Sequence, residues 1–146
     1  MIEKKTGSNY NAVDLGKMEN LKSHKIEEPV KARGKVFLNE LLELTSMEVS
    51  VNSFPPHTSM PFHHKHGENE ELYIFISGKG QFQVDDETFD IEEGSVVKVA
   101  PAGSRIFRNN SDESLYYVCV QAKENSLNKS GVSDGEILEK EIQWPS

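Results

Sequence analysis

Between Glu71 and Ala122 the chain is cut again and again by turn-forming residues, and this most constrains its fold. Short apolar-rich segments run from Glu71 to Ile76, Gln81 to Val84, Thr88 to Ile91, Val96 to Ala100, Ile106 to Arg108 and Leu115 to Ala122. Gly78-Lys79-Gly80, Asp85-Asp86, Gly94, Pro101-Ala102-Gly103 and Asn109 to Asp112 separate them. Helices average about 11 residues, and few of these segments leave room for one. Regular short strands with Gly and Pro between them predict an all-β fold, an antiparallel sandwich or barrel.

Upstream, Met47 to Phe54 alternates apolar and polar residues with period two, the mark of a half-buried strand, while Asn39 to Leu44 reads as a helical turn. Pro55-Pro56 ends that strand, and Pro61 delays the next element to Phe62. The chain is therefore expected to divide into an N-terminal arm (1–35), one barrel (36–123) and a C-terminal tail (124–146). The arm is polar apart from Ala12 to Leu15, and the end of the tail, with Ile137, Leu138, Ile142 and Trp144, is expected to fold back on the barrel.

The 146 residues suffice for one core. Twenty-four acidic against 16 basic side chains give a net charge of −8, and no dense Lys/Arg run exists to track a phosphate backbone, so nucleic acid is not an expected partner. No stretch approaches the roughly 20 apolar residues of a membrane span, and the first 20 residues lack an apolar signal-type run; the expectation is a cytoplasmic protein with no membrane partner. Cys119 is the single cysteine, which excludes an intrachain disulfide, and its apolar surroundings read as those of a small buried hydrophobe.

Four of the five histidines, His57, His63, His64 and His66, fall within ten residues and lead into the acidic stretch Glu68 to Glu71. On a strand, His64 and His66 share a face while His63 and Lys65 take the other. If the strand opened by Glu71 pairs with the histidine segment, its carboxylate returns to the same spot. Two imidazoles and one carboxylate suit Zn²⁺, Fe²⁺, Mn²⁺ or Ni²⁺. Read by itself, the cluster is equally a solvated histidine tract.

The spacing His64-x-His66-x4-Glu71-x6-Gly78 resembles the first motif of the cupin superfamily, and Gly94, Pro101, Gly103 and Asn110 resemble the second. This resemblance implies a double-stranded β-helix, the jelly-roll barrel, often a homodimer, with a metal in the barrel mouth held by His64, His66 and Glu71. The second motif departs from the pattern because Ile106 stands where a histidine is expected, leaving three protein ligands. If Ile106 points inward as that histidine does, Arg108 shares its face and suits a substrate carboxylate or phosphate; a surface arginine is the competing reading. Tyr73 and Phe75 share the parity of Glu71 and are expected to line the interior, Tyr73 as a hydrogen-bonding partner of a ligand. Phe107 and Leu72, of opposite parity, are expected on the covered outer face of a dimer. Lys98 fits either a pocket or an edge.

Family resemblance does not select a reaction, since cupins include isomerases, dioxygenases, decarboxylases and non-catalytic sensors. Three readings follow: a metal-dependent enzyme acting on a small polar or acidic metabolite, a cupin that holds or senses a small molecule without turning it over, or a degenerate barrel that binds no metal and acts only as an interaction surface.

Overall fold

The computed structural model describes residues 2–27 and 31–146, so the expected arm falls partly outside the described residues. Its described part forms two small antiparallel pairs, β1 (Lys4–Thr6) with β2 (Asn11–Val13) and β3 (Lys25–Ile26) with β4 (Ala32–Arg33). Between them the 3-10 turn Met18–Ser23 buries Leu21 completely. There follow β5 (Lys35–Phe37), the short helix α1 (Asn39–Leu42), β6 (Glu48–Phe54), β7 (Thr58–Ser59), β8 (Asn69–Ser77) and β9 (Lys79–Val84). The last strands are β10 (Glu87–Glu92), β11 (Val96–Val99), β12 (Arg105–Asn109) and β13 (Leu115–Lys123).

Two antiparallel sheets form the body, one in the order β11-β8-β13-β6-β5 and the other β10-β9-β12-β7. Side chains alternate across each strand, and the inward sets Tyr73 and Phe75, Phe82, Phe107, and Leu115 and Tyr117 fill the space between the sheets. The motif glycine, Gly78, connects β8 to β9 at φ +100°, and a Cβ there would sit 2.6 Å from the Ser114 carbonyl oxygen; only glycine fits. Strand positions follow the sequence reading closely. Among the described residues the ladders of the body form two sheets rather than one closed ring.

Three expectations are corrected. Phe107 is not on the outer face: β12 is buried at Arg105, Phe107 and Asn109, so its odd-numbered residues face inward. The tail does not fold back, since Ile137, Leu138, Ile142 and Trp144 are all strongly exposed. The histidine segment is not a strand paired with β8; it touches the other sheet through one isolated bridge, His64 to Arg105.

The inward face of β6 is polar. Ser50 and Asn52 are buried there, opposite Phe37 and Lys35 of β5, whereas Val49 and Val51 lie on the other face of the strand. The end of the interior near β5 and β6 is thus a cavity rather than packed core.

Candidate metal centre

Glu71 is the first buried residue of β8. The loop before β8 is fastened to β12 and to the turn ahead of it: Met60 N–H donates to Phe107 O (3.0 Å), His64 N–H to Arg105 O (3.1 Å), Arg105 N–H to His64 O (3.0 Å) and His66 N–H to Pro101 O (2.9 Å). These bonds carry both imidazoles across the mouth to Glu71, with His64 Nε2 and His66 Nε2 each 3.3 Å from Glu71 Oε1. One donor atom from each of the three residues lies within 4.8 Å of the others. His66 Nε2 is buried and has no hydrogen-bond partner. A buried ring nitrogen without a partner is costly, and a cation bound beside Glu71 gives it one. The donor set and this orphaned atom fit a divalent transition metal.

The fourth position belongs to Arg105, which the sequence reading missed. Its guanidinium is fully buried and Nη1 donates to Glu71 Oε1 at 2.6 Å, while Nε and Nη2 donate to the carbonyls of Gly103 (3.1 and 2.9 Å) and Ala100 (2.8 Å). Arg105 and Asn109 stand four apart, as the histidine and asparagine of the pattern do. The second motif is one residue shorter than its alignment through Ile106 and Asn110 assumes, and two consecutive asparagines hid the shift. Ile106 is only half-buried and falls on the opposite parity to Arg105. The alternation itself carried a signal, because only the register with Phe107 inward buries an aromatic residue.

Glu71 also accepts from Tyr73 Oη at 2.7 Å and, on Oε2, from the Cys119 thiol at 3.3 Å. Burial alone raises its pKa, yet bonds from His64, Tyr73 and Arg105 and the charge of His66 outweigh that and hold the carboxyl well below the usual carboxylate range. Burial first, then neighbouring negative charge, pushes the phenol of Tyr73 and the thiol of Cys119 far up, so both stay protonated at neutral pH.

This cluster closes one end of a cavity of about 220 Å³ whose wall includes Lys35, Phe37, Ser50, Phe62, Tyr117 and Gln121. Tyr73 lines it as well. Phe75 is 1% exposed and belongs to the aromatic core, outside the cavity wall. Arg108 is corrected: it follows the outward parity of β12, is exposed, and donates to Gln81 Oε1 (2.9 Å) away from the histidines. His57 pairs with Asp112 at 2.7 Å on the surface, and His63 is an exposed neighbour of Ser104. Lys98 occupies edge strand β11, 4.0 Å from Glu70.

Residues 50–121 match the family described as Cupin domain. A solved cupin protein of Bacteroides fragilis is 34% identical with a TM-score of 0.69, over 80% of this chain and 98% of its own. A Cupin 2 conserved barrel domain protein of Salinispora arenicola is similar at 22% identity and a TM-score of 0.50, over 55% of this chain and 66% of its own, a likeness of fold alone. An uncharacterized protein of Methanocaldococcus jannaschii is 29% identical over 76 residues. Those residues are 52% of this chain, and they span 57% of that curated relative.

Proposed function

The chain belongs to the cupin family, and from that premise we propose that it is a metal-dependent enzyme whose barrel mouth takes a small acidic metabolite, of isomerase, dioxygenase or decarboxylase type. His64, His66 and Glu71 hold one divalent transition metal, Zn, Fe, Mn or Ni. The observation that carries this is the buried, unpartnered Nε2 of His66 beside the ionised Glu71. When bound, such an ion supplies a Lewis acid next to the cavity. The chain's own residues do the rest: Arg105 keeps Glu71 ionised and aimed, Tyr73 holds its phenolic proton on Glu71 Oε1, and the aromatic wall keeps water from a bound molecule. Arg105 leaves fewer protein ligands and more positive charge than a three-histidine cupin has, so metal binding is weaker than in a four-ligand site.

A second reading, a cupin that binds its small molecule without turnover, is favoured by one observation. Tyr73 and Cys119, which line the cavity beside Glu71, are both held protonated, so neither is a ready base. Elemental analysis of protein purified without a histidine tag tests the metal in either reading. About one transition metal per chain is expected, and His66→Ala should lose it; wild-type protein that neither carries nor takes up metal refutes the centre.

The remaining reading is of the family type: the two sheets close as a double-stranded β-helix over 36–123, between an arm (1–35) and a tail (124–146). The outer face of the five-stranded sheet carries Leu72, Ile74, Val118, Val120 and the exposed Ile76 and Val96, and this apolar surface supports a homodimer. Light scattering should give twice the chain mass at micromolar concentration. No helix among the described residues is long and apolar enough to cross a membrane; the reading is of a cytoplasmic protein, and its net charge of −8 disfavours nucleic acid and anionic membrane surfaces as partners.

A further inference from the structure

The wall of the cavity built by β5 and β6 carries a charge that the metal centre leaves unexplained. Lys35 lines the cavity, and its ammonium donates to Asn52 Oδ1 at 3.0 Å and Ser50 Oγ at 3.3 Å. The ring of Phe37 lies 5.1 Å from Nζ. Both acceptors are neutral. Among the described residues no carboxylate oxygen lies within 4.0 Å of this nitrogen. Glu48, the acid in the same wall, accepts instead from the backbone N–H groups of Asn39 and Val49 (3.0 and 3.1 Å), and Glu71 is held by Arg105.

An ammonium has three donors, of which two are used here. Lys35 is half-buried, and a cation partly withdrawn from water with only neutral partners carries a desolvation cost that an anion in contact with it offsets. Burial accordingly pulls its pKa below the usual lysine value, against the raising effect of nearby Glu71 and Glu48. Glu48 and Glu71 act on this charge only from beyond 4.0 Å, which leaves direct contact with the ammonium to an anion bound in the cavity.

We propose that Lys35 anchors the carboxylate of a small organic acid bound in the cavity, with the body of the acid directed toward His64, His66 and Glu71. The inference rests on the cavity being a small-ligand site and names the class of ligand. Phe37, Met60, Phe62 and Tyr117 make most of the wall between the two ends apolar, which suits a compact hydrocarbon body. The cavity, about 220 Å³ and open at the mouth, is of a size for a compact acid such as benzoate.

Calorimetric titration of the full chain with benzoate, neutral benzamide and inorganic phosphate tests this, in wild type and Lys35→Met, with EDTA and with Zn²⁺. Benzoate is expected to bind wild type at least about ten-fold tighter than benzamide or phosphate, and Lys35→Met should remove that preference in both buffers. Without ligand, Lys35→Met should melt no lower than wild type, because it removes an uncompensated charge. In wild type, the Lys35 Cε resonance should shift with benzoate and not with benzamide, which keeps the test intact should the variant misfold. Absence of benzoate binding, a preference that survives Lys35→Met, tighter binding of phosphate, or a lower melting temperature with unchanged benzoate affinity each overturns the anchor; the last makes Lys35 a strut for Ser50 and Asn52. Zinc binding that persists while the benzoate preference is missing sinks the anchor and leaves the metal centre standing. Lys35-dependent benzoate binding in a protein that takes no zinc does the reverse.

Discussion

The aromatic half of the barrel interior and its charged mouth are built on the same strands, yet different forces hold them. β8 supplies Phe75 to one and Glu71 to the other; β12 supplies Phe107 and Arg105; β13 supplies Tyr117 and Cys119. In the aromatic half, Phe82 and Phe107 stack with centroids 5.5 Å apart and an interplanar angle of 2°, and Tyr117 meets Phe107 edge-on at 5.1 Å. Such packing is a sum of many small contacts, and losing one ring removes only its share. At the mouth, Glu71 Oε1 takes bonds from Arg105 and Tyr73 at once, and removal of the cation strands a buried charge. The lesson is that one inward parity serves two purposes, with the change from apolar to charged side chains marking where packing ends and chemistry begins.

The largest expected effect is in the aromatic half. Phe82→Ala should lower unfolding free energy by about 3–5 kcal/mol, read from urea melts, with or without metal. Arg105→Met should cost a comparable 3–5 kcal/mol in EDTA, since Glu71 is left without its cation. Here the two halves part company: Zn²⁺ should stabilise Phe82→Ala only as much as it stabilises wild type, leaving that deficit intact, and should stabilise Arg105→Met by more, closing much of its deficit. Equal zinc responses would erase the distinction. Tyr73→Phe removes a hydrogen bond to an ionised group and should cost about 1.5–3 kcal/mol, again by urea melts. Smallest is Arg108→Ala, an exposed change expected to stay within about 0.5 kcal/mol and to leave zinc affinity unaltered; a several-fold loss of affinity would bring Arg108 back into the site.

Much of this was legible in the sequence, for physical reasons that differ by region. The strands from Asn69 to Lys123 could be read because turn residues cut the chain into short apolar-rich segments. His64, His66 and Glu71 could be read because three donors and Gly78 must all keep their spacing. Arg105 was hidden because a one-residue shortening between Gly103 and the strand moves every side chain to the opposite face, while Asn109-Asn110 satisfied either register. Lys35 was hidden because its place in the cavity wall depends on β5 pairing with β6 across the α1 turn, a register that no local pattern announces. Leu21 was equally silent, one apolar residue in a polar arm that a 3-10 turn brings against β6.

Zinc titration of metal-free protein by calorimetry, in wild type, His66→Ala, Arg105→His and Ile106→His, tests the centre and its register together. Wild type should bind one ion per chain, and His66→Ala should bind at least about ten-fold more weakly. Arg105→His should bind about ten- to a hundred-fold more tightly than wild type, a gain on the order of 1.4–2.8 kcal/mol, because it trades a competing cation for a fourth imidazole. Ile106→His should match wild type. Wild-type affinity in His66→Ala would contradict the metal centre, and tighter binding by Ile106→His with no gain in Arg105→His would contradict the placement of Arg105 at its fourth position.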